Sequence, residues 1–181
     1  TESANINQRN RRLFQHNRPR ADISLGGEWA SIWSILGTMK FQKVHTIRDI
    51  YDGIRTGTAD LSGAPHYFAS VFDDNIGDYT QHFRLYAVTA QFMERELRVW
   101  AIYRFWEARF HRGIEPLETH PGHGGIVPEY DELSGWLNEQ IKVLTPRPSF
   151  YAATFRELPG QDELPGGILR ALEVAWEPTS A

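Results

Sequence analysis

From Thr89 to Gly113 the chain runs TAQFMERELRVWAIYRFWEARFHRG, part of its longest stretch free of both proline and glycine, which ends at Gly113. Thr89 suits the N-cap of a helix and Gly113 the residue just past its C-terminus. Between them Phe92, Met93, Leu97, Val99, Trp100, Ile102, Tyr103, Phe105, Trp106 and Phe110 cover most of the circumference. That distribution predicts a long, largely buried central helix. Arg104, Glu107 and His111, three and four residues apart, form one polar seam along it. A buried rod of this kind needs other elements wrapped against it.

The flanking sequence supplies strands. Gln81 to Val88 alternates, with Phe83, Leu85 and Ala87 on one face and His82, Arg84 and Tyr86 on the other. Met39 to His45 reads as a strand, and Thr46-Ile47-Arg48-Asp49 as a capped helical turn. Asp52-Gly53 and Arg55 to Gly57 read as turns. Thr58 to Leu61 and His66 to Phe72, joined by Ser62-Gly63-Ala64-Pro65, make a hairpin. Asp73 to Asp78 is an acidic turn whose spacing does not fit a calcium loop. After the long helix comes a Gly- and Pro-rich loop, then a helix opened by Pro128 with Tyr130, Leu133, Leu137, Ile141 and Leu144 as its apolar stripe. Ser149 to Leu158 and Ile168 to Trp176 form a last strand pair joined by PGQDELPGG.

Strands cluster before the long helix and again after the second, so the chain is not an alternating α/β protein. The expected fold is α+β: a curved antiparallel sheet or small open barrel packed on the central helix and a second, C-terminal helix. The expected organisation is a basic arm over residues 1–25 and one domain over residues 26–181, a length that suits a single core. Trp29, Ile32, Trp33 and Leu36 mark a short helix at the start of that domain.

Charge separates the two parts. Arg9, Arg11, Arg12, Arg18 and Arg20 face a single acid, Glu2, in the first twenty residues. The other 14 of the 19 basic residues face 22 of the 23 acids. Such an arm suits a phosphate-bearing partner, including nucleic acid, or the acidic body of the same protein. The second reading is favoured, because an acidic body repels a nucleic-acid backbone and Phe14 is the arm's single aromatic for base stacking. There is no cysteine, which excludes disulfides, thiolate metal sites and thiol nucleophiles and fits a reducing, cytoplasmic setting. No apolar run approaches the roughly 20 residues that span a bilayer, so no membrane partner is expected.

Three stretches carry candidate chemistry. Glu107 and His111 on one helical face, with His120 and His123 from the following loop, offer imidazole and carboxylate ligands suited to zinc, iron or manganese. Glu115 and Glu118 lie nearby. The spacing matches no established zinc motif, and a charged His111 in a last helical turn already suits the helix dipole. Arg55 and His66, with Asp52, offer an anion grip and an acid or base. An Asp52–Arg55 turn closure is the simpler account. Arg104 and Glu107, with Trp100 and His111, line a pocket if the sheet folds over that face; an i,i+3 ion pair is the simpler account. P-loop, dinucleotide and nucleophile-elbow patterns are absent, and no cofactor-binding residue is assigned.

The run YDGIRTGTADLSGAPHYF, followed by FDD, the segment VWAIYRFWEARFHRG and then ETHPG, resembles a family of uncharacterised bacterial proteins over roughly residues 45–176. The resemblance implies that hairpin, helix and loop form one unit. It implies no catalytic residue.

Two functions follow from these features. The favoured one is an intracellular binding or assembly domain, self-associating or bound to a protein partner. The alternative is a small hydrolase or lyase, metal-assisted or not. Its catalytic residues would come from Arg55, His66, Arg104, Glu107 and His111, and a divalent metal would sit on Glu107, His111, His120 and His123.

Overall fold

Six antiparallel strands follow one another in chain order and close into a barrel. The computed structural model describes residues 40–50, 53–75, 77–158 and 171–179. The expected arm, the Trp29–Leu36 helix, Asp52 and most of the last interstrand connection lie outside them. The strands are β1 (Gln42–Ile50), β2 (Ile54–Leu61), β3 (Ala64–Asp73), β4 (Asp78–Ala87), β5 (Phe150–Glu157) and β6 (Leu172–Thr179). Helices α1 (Ala90–His111) and α2 (Pro128–Val143) stand between β4 and β5. The architecture is therefore α+β, with a closed barrel where a curved sheet or open barrel was expected.

Alternation builds the barrel. Ala59, Phe68, Phe83, Leu85, Tyr151 and Val174 meet inside it, with Val44, Phe155 and Trp176 packed against them. Phe68 lies 5.9 Å from Phe83 and 5.7 Å from Trp176, at the tilted and edge-on angles aromatic rings prefer. The opposite face of β3 presents Tyr67, which joins Phe92 and Val99 of α1 and Leu137 of α2 in a second cluster. One strand thus feeds two cores, and the helix pair covers part of the barrel's outer wall.

The hairpin between β2 and β3 turns at Ser62 and Gly63, with φ of 55° and 78°. Two consecutive positive φ values give the tight reversal that matches strand twist. Two readings change here. Thr46 to Asp49 is strand, not a helical turn, and Arg55 to Gly57 is strand, not a turn. A threonine followed three residues later by an acid fits a helix start, but neighbouring Val44 and Ile47 belong to a sheet. A register shift between Val44 and Thr46 explains why the strand pattern was obscured. Val44 packs inside the barrel, whereas Thr46 reaches the helix outside. Residues two apart share a face in a regular strand, so the irregularity lets β1 serve both sides.

The ring is held unevenly. β2 pairs with β3 over six registered positions, from Thr56↔Ala69 to Leu61↔Ala64. The seam between β1 and β6 has Gln42↔Val174 and Lys43↔Glu173. That between β4 and β5 has His82↔Ala152 and Phe83↔Tyr151. Beside the latter, the Arg147 N–H donates to the Leu85 carbonyl at 2.7 Å, and Tyr86 bridges to Pro146. The Pro146–Pro148 segment thereby covers a backbone edge that β5 leaves open.

Helix α1 starts and ends as its sequence requires. The Thr89 side chain accepts from the Phe92 N–H at 3.1 Å, and Gly113 at φ 69° follows the last turn. Its burial differs from the expectation. Phe92, Met93, Glu96, Val99, Arg104 and Glu107 are buried, but Leu97 is 44% exposed and Phe105 67%. The helix is a wall element with one face outward, not a rod enclosed on all sides.

Candidate functional site

Arg104 and Glu107 sit one turn apart on α1, where their side chains meet. The Arg104 Nη1 donates to Glu107 Oε2 at 2.5 Å, and the residues are 8% and 3% exposed. A guanidinium and carboxylate this deeply buried must satisfy each other. The ring of Trp100 lies 5.5 Å from the Arg104 guanidinium. Burial first, and the Glu107 charge second, push the Tyr103 hydroxyl up to about 12. Burial, then the nearby Arg104 cation, lowers His111 below its ordinary value. Trp100, Arg104, Glu107 and His111 were expected to line a pocket if the sheet folded over that face; they share one stretch of α1. The groups it gathers are a charge-compensated pair, a phenol that stays protonated and a neutral imidazole.

The histidine-rich loop is bound to that same half of α1. The Trp106 indole N–H donates to Thr119 Oγ1 at 3.0 Å, Arg109 Nε to Glu115 Oε1 at 2.9 Å, and Thr119 Oγ1 contacts Glu115 Oε2 at 3.2 Å. His120 stands edge-on to Trp106 with ring centres 4.4 Å apart, and its Nδ1 accepts from the Gly122 N–H. Burial, then His123, lowers its pKa. His120 and His123 have ring centres 5.2 Å apart. Among the described residues, however, no three His, Asp or Glu side chains gather to hold one ion. Glu107, His111, His120 and His123 therefore do not form the expected four-ligand cluster. The imidazoles pack against aromatic rings and cap a short turn.

Arg55 and His66 belong to the barrel. The Arg55 guanidinium lies 4.0 Å from the centre of the Tyr79 ring. His66 is buried beside the inner cluster, and its Nδ1 meets the Ala64 carbonyl at 2.8 Å. With Nδ1 as donor, Nε2 is an acceptor, and it has no hydrogen-bond partner among the described residues. Neither residue is on the helix face that holds Arg104 and Glu107. The five proposed catalytic residues are split among three elements, β2, β3 and α1, and Asp52 lies outside the described residues.

Sequence reasoning missed one polar cluster altogether. Thr46 Oγ1 donates to Glu96 Oε1 at 2.8 Å and sits 2.8 Å from Thr58 Oγ1. Arg48 donates to Glu96 Oε2 at 3.3 Å and to Asn138 Oδ1 at 3.0 Å. These contacts tie β2, β1, α1 and α2 together through one carboxylate. Burial raises the Glu96 pKa, opposed by Arg48 and by the Thr46 hydroxyl. The available signal was an acid between Phe92, Met93 and Val99 on the inward face of α1. Because both carboxylate oxygens are engaged, the cluster is a joint between barrel and helices.

The outward face of α1 is different in kind. Leu97, Ala101 and Phe105 follow at four-residue spacing, and all three are exposed. Between α1 and α2 lies a shallow groove of about 710 Å³ whose apolar lining is Leu97, Ala101 and Leu133. Glu94, Arg98 and Glu129 line it with charge, and Arg98 and Glu129 form a bidentate pair at 2.7 and 2.8 Å. An apolar strip bordered by polar groups is the usual character of a contact surface.

No family model, curated protein or solved structure matches this chain. No helix among the described residues is long and apolar enough to cross a membrane.

Proposed function

We propose that the chain is a binding or assembly domain that works through the outer face of α1. The observation that carries this reading is the Leu97–Ala101–Phe105 strip, which ends in a phenylalanine 67% exposed. A large apolar side chain left in water gains free energy when a partner covers it, at roughly 25 cal/mol per Å². The barrel and α2 already bury the opposite face of the same helix, so the strip is not needed to hold the helix down. The groove beside it extends the apolar area to Leu133.

The catalytic reading has weaker support. Its best observation is the buried Arg104–Glu107 pair beside His111. That pair is self-compensated, and the groups next to it are shifted toward their neutral forms, away from the charge states an acid–base pair exchanges.

The test is a Leu97→Glu/Phe105→Glu double variant. A binding surface predicts a melting temperature within a few degrees of wild type, because exposed substitutions change stability by about 0.5 kcal/mol or less each. It also predicts reduced binding of a hydrophobic-surface dye. A drop as large as that of a core substitution would make the strip part of the folding core and sink the reading.

A further inference from the structure

We infer that the partner of the α1 outer face is a second copy of α1, packed antiparallel about a twofold axis level with Tyr103. The inference rests on the binding reading above and adds the partner and its register. Glu94, Arg98, Ala101, Phe105, Ala108 and Arg112 recur at alternating spacings of four and three. That spacing sets them on one outward stripe of the helix, with Ala101, Phe105 and Ala108 as its apolar middle and charges toward its ends. Five of them are exposed and Ala108 is half-buried.

The seam is polar along its length. Its acid, Glu94, stands near the N-terminal end and Arg112 at the C-terminal end, while small Ala101 precedes large Phe105 by one turn. Antiparallel pairing in this register sets Glu94 opposite the partner's Arg112, Arg98 opposite the partner's Ala108, and Ala101 opposite the partner's Phe105. The twofold makes each contact twice. Acid then meets base at both ends, and each phenyl ring enters the space beside an alanine. Parallel pairing would set like charges against each other at both ends and ring against ring in the middle. Among the described residues neither Glu94 nor Arg112 has an ion-pair partner within its own chain. Both are therefore available to a neighbour.

Because the chain contains no cysteine, introduced thiols report pairing without interference. Full-length Glu94→Cys and Arg112→Cys proteins are oxidised with copper–phenanthroline, separately and mixed. Antiparallel pairing predicts a disulfide-linked dimer in the mixture and background linkage in each protein alone. Linkage of each protein alone, with no gain on mixing, overturns the register. In sedimentation, Glu94→Arg and Arg112→Glu each raise the dimer dissociation constant about tenfold, as loss of two modest ion pairs implies. The double reversal restores it to within about twofold. A double variant as weak as the single ones overturns the inference, and so does a wild-type chain that stays monomeric at every concentration reached. In either event the outer-face reading is judged separately, by the melting and dye comparison of the Leu97→Glu/Phe105→Glu variant.

Discussion

The Glu96 carboxylate is 1% exposed, and it ties α1 to Thr46 and Arg48 of β1, whose guanidinium also reaches Asn138 of α2. Its pKa is raised above 4.5, chiefly by burial. An acid with a raised folded-state pKa favours folding while it is protonated. That contribution is full below pH 4.5 and is lost as the pH rises through the folded-state value. Glu96→Gln removes the titration, so its melting temperature relative to wild type should climb as the pH rises from below 4.5 toward neutrality. A difference that stays flat with pH would show that Glu96 titrates as it does in the unfolded chain. Gly57 makes a second case. A Cβ there would stand 2.2 Å from the Thr46 carbonyl oxygen and 2.8 Å from the Phe68 ring. Because the nearer atom is backbone, Gly57→Ala should destabilise by about 3 kcal/mol, the upper range of overpacking. Urea unfolding measures it; a cost below about 1 kcal/mol would mean β1 yields easily. Both residues show where the sequence was silent. Gly57 reads as a turn residue, because nothing local announces that a neighbouring strand and a phenyl ring press on it. Glu96 reads as one more charge on a helix, because Thr46 and Arg48 lie about fifty positions away.

At the level of the elements, α1 was the most legible part, from its threonine cap to its closing glycine. Its environment was not. Residues such as Trp100, Tyr103, Leu97 and Phe105 are equally apolar on paper, and composition does not say which of them faces the barrel. The Arg104–Glu107–His111 seam followed from helical spacing, whereas the packing of His120 on Trp106 required the loop to fold back. That packing has a consequence in solution. Burial lowers both His111 and His120 below 6.5. A base with a depressed folded-state pKa contributes stability above its unfolded value and loses it as the pH falls through the folded one. Their imidazole NMR signals should therefore titrate below pH 6.5, with the α1–loop contacts weakening together in that window. Titration of either ring at or above pH 6.5 would contradict the packing described.

For the whole molecule, alternating strands and two amphipathic helices gave the α+β class and the helical cover. Closure of the ring was not readable, because it depends on β1 meeting β6 across more than a hundred residues of chain. The seams suggest how the described body opens. β5 and β6 pair with each other at eight registered positions, but each joins the remaining barrel at two. Native-state hydrogen exchange should show the β5–β6 hairpin releasing as a unit before β2 and β3 lose protection. Uniform protection across all six strands would rule that out.

Chain order and ring order coincide in this barrel, and that bears on how fast it forms. Every strand pair but one joins successive strands, so most of the wall can zip up from contacts that need only modest loop closure. The pairing of Gln42 and Lys43 with β6 comes last on those grounds, after the hairpins exist. Contacts absent from the folding barrier affect the reverse reaction, so weakening that junction would hasten unfolding while leaving the refolding rate nearly unchanged.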